Sequence, residues 1–311
     1  MSARPGPLHT RVAGLSFRNP VVLAGGTAGY GREVAEVIDL TRVGGLVTKA
    51  VSPEPRAGAP APRVSEIPSG MINAVGLANP GLEHVRAYEL PWLAAHAGDL
   101  RVVINVVGGT VGDFGTVVAG LDASDGLDAF ELNVSCPNVE RGGLEFGADT
   151  CALAEVVRTA RRETKRPLFV KLSPASSDVA LAARTVADAG ADGITLLNTL
   201  PGLVVDVERR RPVLGFGSGG VSGSGLLPVS VLATWRVRQA VSLPIIGVGG
   251  VRTANDALQL LMAGASLVGI GTAALRDPRL PERVVHDLER WCERHGVPDI
   301  AQLVGALEWP H

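Results

Sequence analysis

The feature that most constrains this chain is a pattern that recurs eight times: a short apolar run, a polar or glycine-rich exit, then a segment with Ala, Leu and Val at three- and four-residue spacing. The apolar runs are Val21–Gly25, Gly45–Lys49, Arg101–Val107, Phe130–Ser135, Leu168–Ser173, Gly193–Asn198, Pro244–Gly250 and Leu267–Thr272. The spacing predicts helices over Glu33–Leu40, Leu82–Ala97, Val111–Leu121, Asp149–Thr164, Asp178–Ala189, Pro228–Ala240, Ala254–Ala263 and Pro281–His295. Asp149 is a start signal, and Gly190 and Gly264 are stop signals. Strands that are apolar on both faces, each followed by a helix, call for a parallel sheet covered by helices, and eight such units close into an α/β (β/α)8 TIM barrel. Arg11–Pro20 reads as a short N-terminal hairpin that plugs or flanks the fold, with Asn19-Pro20 as a turn signal. The 311 residues suit a single barrel domain over 1–311. A doubly wound open sheet competes, but Ala24-Gly25-Gly26-Thr27-Ala28-Gly29 lacks the acidic partner that a dinucleotide fingerprint places in the second strand.

In a barrel the reactive groups belong at the carboxyl ends of the strands. The second run ends at Lys49, the third carries Asn105, the fourth Asn133, the fifth Lys171 and the sixth Asn198-Thr199. Any one of these alone is ordinarily a strand-end residue facing water. Two lysines and three asparagines converging on one mouth are costly to desolvate unless they meet a ligand rich in carbonyl oxygens and ring nitrogens. The seventh and eighth runs end in Gly249-Gly250 and Gly271-Thr272, and Gly223 precedes another helix. Backbone N–H groups there can approach a phosphate closely, aided by the dipoles of the helices that follow the last two strands. A phosphate site on one side and a Lys/Asn cluster on the other suit a flat phosphorylated cofactor such as FMN. Lys171 would place positive charge beside the N1–C2 edge of the flavin.

The stretch Phe130-Glu131-Leu132-Asn133-Val134-Ser135-Cys136-Pro137-Asn138 leaves an apolar strand abruptly for polar groups, a thiol and a proline. A lone thiol is more often a packing residue; here its neighbours at the strand ends favour chemistry. Cys136 facing a substrate stacked on the flavin would serve as a general base, since an unperturbed thiol has a pKa of about 8.5. The six histidines fall in the amino-terminal segment, expected helices or the tail, and none adjoins Cys136. The three cysteines, Cys136, Cys151 and Cys292, form no CxxC pair, which argues against a disulfide framework, a metal site or an iron–sulfur cluster held by this chain. A net charge of −2 offers nothing to nucleic acid or an anionic membrane. No apolar run reaches the roughly 20 residues of a membrane span, and Met1–Pro7 has no signal-like apolar region. A cytoplasmic protein is expected.

Four segments carry a family resemblance: Asn133-Val134-Ser135-Cys136-Pro137-Asn138, Ser69-Gly70-Met71-Ile72-Asn73-Ala74-Val75-Gly76-Leu77-Ala78-Asn79-Pro80-Gly81, Val170-Lys171-Leu172-Ser173-Pro174 and Leu197-Asn198-Thr199. They resemble the signature segments of dihydroorotate dehydrogenase, in the same order. The resemblance implies FMN-dependent oxidation of (S)-dihydroorotate to orotate in de novo pyrimidine biosynthesis. A base removes the C5 proton and a hydride passes from C6 to FMN. Cysteine as base and the short start are similar to class 1. Glu66-Ile67-Pro68-Ser69-Gly70-Met71 and the Asn-Pro-Gly after Gly-Leu look most like the class 1B catalytic subunit. That subunit implies a homodimer paired with a separate FAD/[2Fe–2S] electron-transfer subunit.

By the same resemblance, Cys136 is the catalytic base. Lys49, Asn73, Ala74, Val75, Gly76, Leu77, Asn133, Asn198 and Thr199 bind substrate. Gly25, Lys49, Ala50, Asn105, Asn133, Lys171, Leu197, Gly223, Gly249, Gly250, Gly271 and Thr272 bind FMN, and the loop around Cys136 closes over the ring. No metal is expected. Two segments depart from the family. Ala24-Gly25-Gly26 replaces the usual Ala-Ser-Gly, removing a hydroxyl from the flavin site. Ser222-Gly223-Ser224-Gly225-Leu226-Leu227-Pro228 lacks the usual Pro and Lys near the phosphate side. Two other readings stand beside this one: a related pyrimidine flavoenzyme resembling dihydropyrimidine dehydrogenase, and a barrel that has lost catalysis and serves as a binding subunit.

Overall fold

The computed structural model describes residues 6–135, 146–173 and 178–310. Eight parallel strands close into a barrel: β1 (Val21–Leu23), β2 (Gly45–Val47), β3 (Arg101–Val106), β4 (Ala129–Asn133), β5 (Leu168–Lys171), β6 (Gly193–Leu196), β7 (Ile245–Val248) and β8 (Leu267–Ile270). They pair in sequence order and β8 closes on β1, with Val268 opposite Val21. Each corresponds to one of the eight apolar runs. Among the described residues no helix is long and apolar enough to cross a membrane.

Successive strand residues point to opposite faces, and the chain uses both. Leu46, Val102, Ile104, Phe130, Leu132, Leu168, Val170 and Ile194 join the large core between strands and helices. Their neighbours Val47, Val103, Ala129 and Phe169 instead form the interior of the barrel with Val22, Ile246 and Leu267. This two-sided burial explains why the strands read as continuous apolar runs rather than alternating ones.

The hairpin formed by Thr10–Val12 and Leu15–Phe17 closes the amino-terminal end of the barrel. Its turn is Ala13-Gly14; Asn19-Pro20 instead follows it, where the Asn19 side chain accepts from the Val21 N–H and donates to the Arg42 carbonyl. Val12 and Phe17 are buried in the interior cluster, so the hairpin is a plug. Replacing Phe17 with alanine is expected to cost about 3–5 kcal/mol of unfolding free energy. Urea titration should show a lower midpoint at an unchanged slope.

Most helices lie close to their expected spans, such as Val111–Asp122, Thr150–Glu163, Val179–Asp188 and Ala254–Ala263. The first differs: Arg32–Ala35 is a single turn with no buried residue to hold it, followed by a 3-10 turn at Leu40–Arg42 capped by Asp39. The segment from Leu82 to His96 contains a wide π turn over Val85–Glu89, where the Leu90 N–H reaches the Val85 carbonyl. It lies just before Pro91, whose ring nitrogen has no hydrogen and whose ring crowds the carbonyl four residues back.

A four-stranded antiparallel sheet has no counterpart among the eight repeats. Leu200–Gly202, Gly219–Gly223, Gly70–Asn73 and Val64–Ile67 pair in that spatial order, and Val205–Asp206 pairs with Arg211–Pro212. These strands leave the carboxyl ends of β2 and β6, so the sheet belongs to the mouth. They are short and rich in glycine and proline, and therefore carry no two-residue hydrophobic period to detect.

Candidate active site

The interior of the barrel changes character toward the carboxyl ends of the strands. Phe130 and Leu132 face the outer core, so Glu131 and Asn133 share the inner face of β4 with Ala129. By the same alternation Asn105 follows Val103 on β3, and Lys171 follows Phe169 on β5. Ile194 and Leu196 face outward on β6, leaving Thr195 inside. The strand register sets these groups side by side: Asn105 opposite Glu131, Asn133 opposite Lys171, and Lys171 opposite Thr195. One turn of polar side chains thus sits on an apolar floor.

The carboxylate of Glu131 is its centre, only 1% exposed. Asn105 Nδ2 donates to Glu131 Oε1 at 2.6 Å and Thr195 Oγ1 donates to Glu131 Oε2 at 2.7 Å. Lys171 is 8% exposed and makes no ion pair with any described residue. Asn133 Oδ1 accepts from Asn198 Nδ2 at 3.4 Å and from the Ser135 N–H at 3.3 Å, while Asn198 Oδ1 accepts from the Thr199 N–H. The expected grouping of Asn133, Asn198 and Thr199 is therefore present.

On the opposite rim the Lys49 N–H donates to the Gly29 carbonyl, and Tyr30 OH donates to the Ala50 carbonyl at 2.9 Å. Burial, assisted by Glu89 and Glu33, pushes the Tyr30 phenol well above its ordinary range, so it remains a neutral donor that pins the Lys49-Ala50 backbone. Asn73 Nδ2 donates to the Gly220 carbonyl, and Gly220 has no side chain because one would overlap Thr199 Oγ1. That contact brings Asn73 beside Thr199. Val75 and Gly76 instead lie exposed and pack on Gly58 and Ala59, while Leu77 packs on the outer core. Asn79 holds this loop to the strand-two exit: its side chain accepts from the Ser52 and Gly81 N–H groups and donates to the Leu77 carbonyl.

The glycine-rich side is built for close backbone approach. Gly249 and Gly250 have φ of 126° and 85°, and a Cβ would collide with Ser230 Oγ at the first and lie 2.5 Å from the Leu227 nitrogen at the second. Thr272 Oγ1 donates to Ser222 Oγ at 2.8 Å, tying the β8 exit to the strand that ends at Gly223. Helices follow both β7 and β8. Ala254–Ala263, after β7, is closed by its own Thr253/Asp256 capping box, and Thr272–Arg276, after β8, is a single short helix.

These residues fit a flat, phosphorylated cofactor. A nine-tenths-buried ammonium without a partner among the described residues calls for an electron-rich group beside it. The bare α-carbon of Gly25 lets the chain pass over Asn105 and Glu131: an added Cβ would lie 3.3 Å from Asn105 Nδ2 and 3.4 Å from Glu131 Oε1. Leu197, also expected here, is buried with its N–H on the Val248 carbonyl. Cys136 lies outside the described residues, three positions beyond the end of β4. Sequence reasoning missed Glu131, Thr195, Ser222 and Tyr30. Only Glu131 left a signal, a charge inside an apolar run in the same two-residue phase as Asn133.

Residues 7–291 match the family model described as dihydroorotate dehydrogenase. The chain belongs to the dihydroorotate dehydrogenase family. It is 44% identical over 301 residues to a protein of Citrifermentans bemidjiense, covering 97% of this chain and 98% of that one. A protein of Desulforudis audaxviator is 48% identical over 295 residues, 95% of each chain, and one of Pelobacter propionicus is 45% identical over 301 residues, with 97% and 98% covered. All three are named dihydroorotate dehydrogenase B (NAD(+)), catalytic subunit. The similarity to dihydroorotate dehydrogenases thus spans every barrel strand and the antiparallel sheet.

Proposed function

We propose that this chain oxidises (S)-dihydroorotate to orotate in de novo pyrimidine biosynthesis, as the catalytic subunit of a class 1B dihydroorotate dehydrogenase with FMN in the barrel mouth. The reading rests on one observation above the rest: Lys171, Asn105 and Asn133 meet at the mouth of a barrel whose sequence matches this family almost from end to end. FMN, when bound, supplies the two-electron acceptor for the hydride that leaves C6 of the substrate.

Lys171 would hold the electron-rich edge of the ring, and Gly223, Gly249, Gly250, Gly271 and Thr272 the phosphate. Gly25, Ala50, Asn105 and Leu197 complete that side. Lys49 would hold the substrate carboxylate, while Asn73, Asn133, Asn198 and Thr199 receive the ring amides, each offering both a donor and an acceptor. The backbone of Ala74–Leu77 would frame the substrate from the loop above. Cys136, as thiolate, takes the C5 proton. Barrel and antiparallel sheet act together as one domain in this reading.

The relatives' names, with their words NAD(+) and catalytic subunit, support a partner that carries the electrons onward. An FAD/[2Fe–2S] subunit is the expected form. A homodimer is supported by the exposed apolar side chains Leu203, Val207 and Phe216 beside the antiparallel sheet. The test is anaerobic mixing of FMN-loaded protein with dihydroorotate, following loss of the visible flavin absorbance. Rapid bleaching by dihydroorotate and none by dihydrouracil is the expected result. The reverse preference would assign a dihydropyrimidine dehydrogenase-like activity, and a protein that takes up no FMN would revive the non-catalytic barrel.

A further inference from the structure

A carboxylate at the bottom of a barrel mouth is an expensive choice. The interior layer below it is Val103, Ala129 and Phe169, so the barrel accepts apolar side chains at this depth. Burying a charge there costs more than burying a methyl-bearing residue, even with two hydrogen bonds. We infer that Glu131 is a positioning residue of the flavin site, fixing which end of the Asn105 side-chain amide faces the ligand; this rests on the FMN reading above.

The geometry that carries the inference is a directed chain. Thr195 Oγ1 donates to Glu131 Oε2, which sets the plane of the carboxylate from β6. Glu131 Oε1 then accepts from Asn105 Nδ2 on β3. A carboxylate oxygen has no hydrogen to give, so the amide must turn its NH2 end down to Glu131 and its carbonyl end away. Asn105 Oδ1 makes no hydrogen bond with any described residue, so it remains an acceptor for the ligand. The Asn105 backbone is held independently, its N–H on Thr48 Oγ1 and its carbonyl on the Val51 N–H. Only the amide torsion is left free, and Glu131 settles it. The bare Gly25 backbone packs against this pair, where an added Cβ would lie 3.3 Å from Asn105 Nδ2 and 3.4 Å from Glu131 Oε1.

The residue acts through Asn105 and has no reaction step of its own, so the test reads coupling. Apoprotein of wild type, Glu131→Gln, Asn105→Ala and the double variant would be titrated with FMN by quenching of flavin fluorescence. The visible spectrum of each complex would be recorded. Glutamine keeps the volume but presents both a donor and an acceptor, so the Asn105 amide loses its preferred direction. Glu131→Gln is expected to weaken FMN binding by tenfold or more and to shift the bound flavin's visible absorption maximum. The double variant should bind no more weakly than Asn105→Ala alone. Unchanged affinity and spectrum in Glu131→Gln, or losses that multiply in the double variant, would overturn the inference. If Glu131→Gln does not give folded protein, Thr195→Val removes the other anchor of the carboxylate and is read by the same coupling to Asn105→Ala. A wild-type protein that binds no FMN refutes the flavin reading itself, a result distinct from a wild type that binds and a variant that binds equally well.

Discussion

Cys136→Ala is expected to bind FMN as wild type does and to be reduced by dihydroorotate about 10²–10⁴-fold more slowly at neutral pH, the usual contribution of a positioned general base. The effect falls on the chemical step because β4 ends at Asn133, whose side chain is tied to Asn198 and Ser135, and the chain then carries Cys136 beyond that anchor. The substrate contacts are assigned to residues other than Cys136, so stopped-flow reduction should show a large loss in limiting rate with little change in half-saturating dihydroorotate. The pH profile gives a second reading. A thiol base works only when deprotonated, so wild-type reduction should rise with pH across the thiol range around an unperturbed value of about 8.5, and the alanine variant should lose that rise. Equal rates in the two proteins would remove Cys136 from the base role.

Lys171→Met should have the opposite signature on fold and function. Lys171 is buried on β5 between Asn133 and Thr195 and forms no ion pair with a described residue; the nearest acidic side chain in register, Glu131, is already bonded to Asn105 and Thr195. An ammonium left there costs desolvation energy that methionine, similar in length, does not. The apoprotein is therefore expected to gain roughly 1–4 kcal/mol of stability, by analogy with the range seen when buried ion pairs are replaced by well-packed apolar groups. FMN should bind more weakly, and reduction by dihydroorotate should slow by about 10²–10³-fold as one preorganised charge is lost. Thermal melting of the apoprotein and stopped-flow reduction of the loaded protein test the two halves together. A less stable apoprotein with unchanged reduction would show that the lysine serves only the fold.

Both predictions use groups that stood out in the chain because each lies where an apolar run gives way to polar residues. The barrel was legible for the same reason: strands buried on both faces must be apolar throughout, and eight such runs separated by helical spacing leave few other arrangements. The hairpin carrying Val12 and Phe17 was expected either to plug or to flank the fold, since a two-strand hairpin carries no signal for which surface it will meet. Glu131 was harder still. Its role depends on Asn105, 26 residues earlier, and Thr195, 64 residues later, and nothing local distinguishes a carboxylate that orients an amide from a charge at a strand end.

By itself the sequence determined the repeating strand–helix order, the convergence of Lys49, Asn105, Asn133, Lys171 and Asn198 on one end, and the family. The first two follow from side-chain period and residue type, and the family from the resemblance of four short segments; all are local properties. Only the tertiary structure decided that the hairpin plugs the far end, that glycine-rich strands assemble a sheet over the mouth, and that a Thr–Glu–Asn chain runs beneath it. Those depend on hydrogen bonds and register between segments far apart in the chain, which become definite only when the barrel closes.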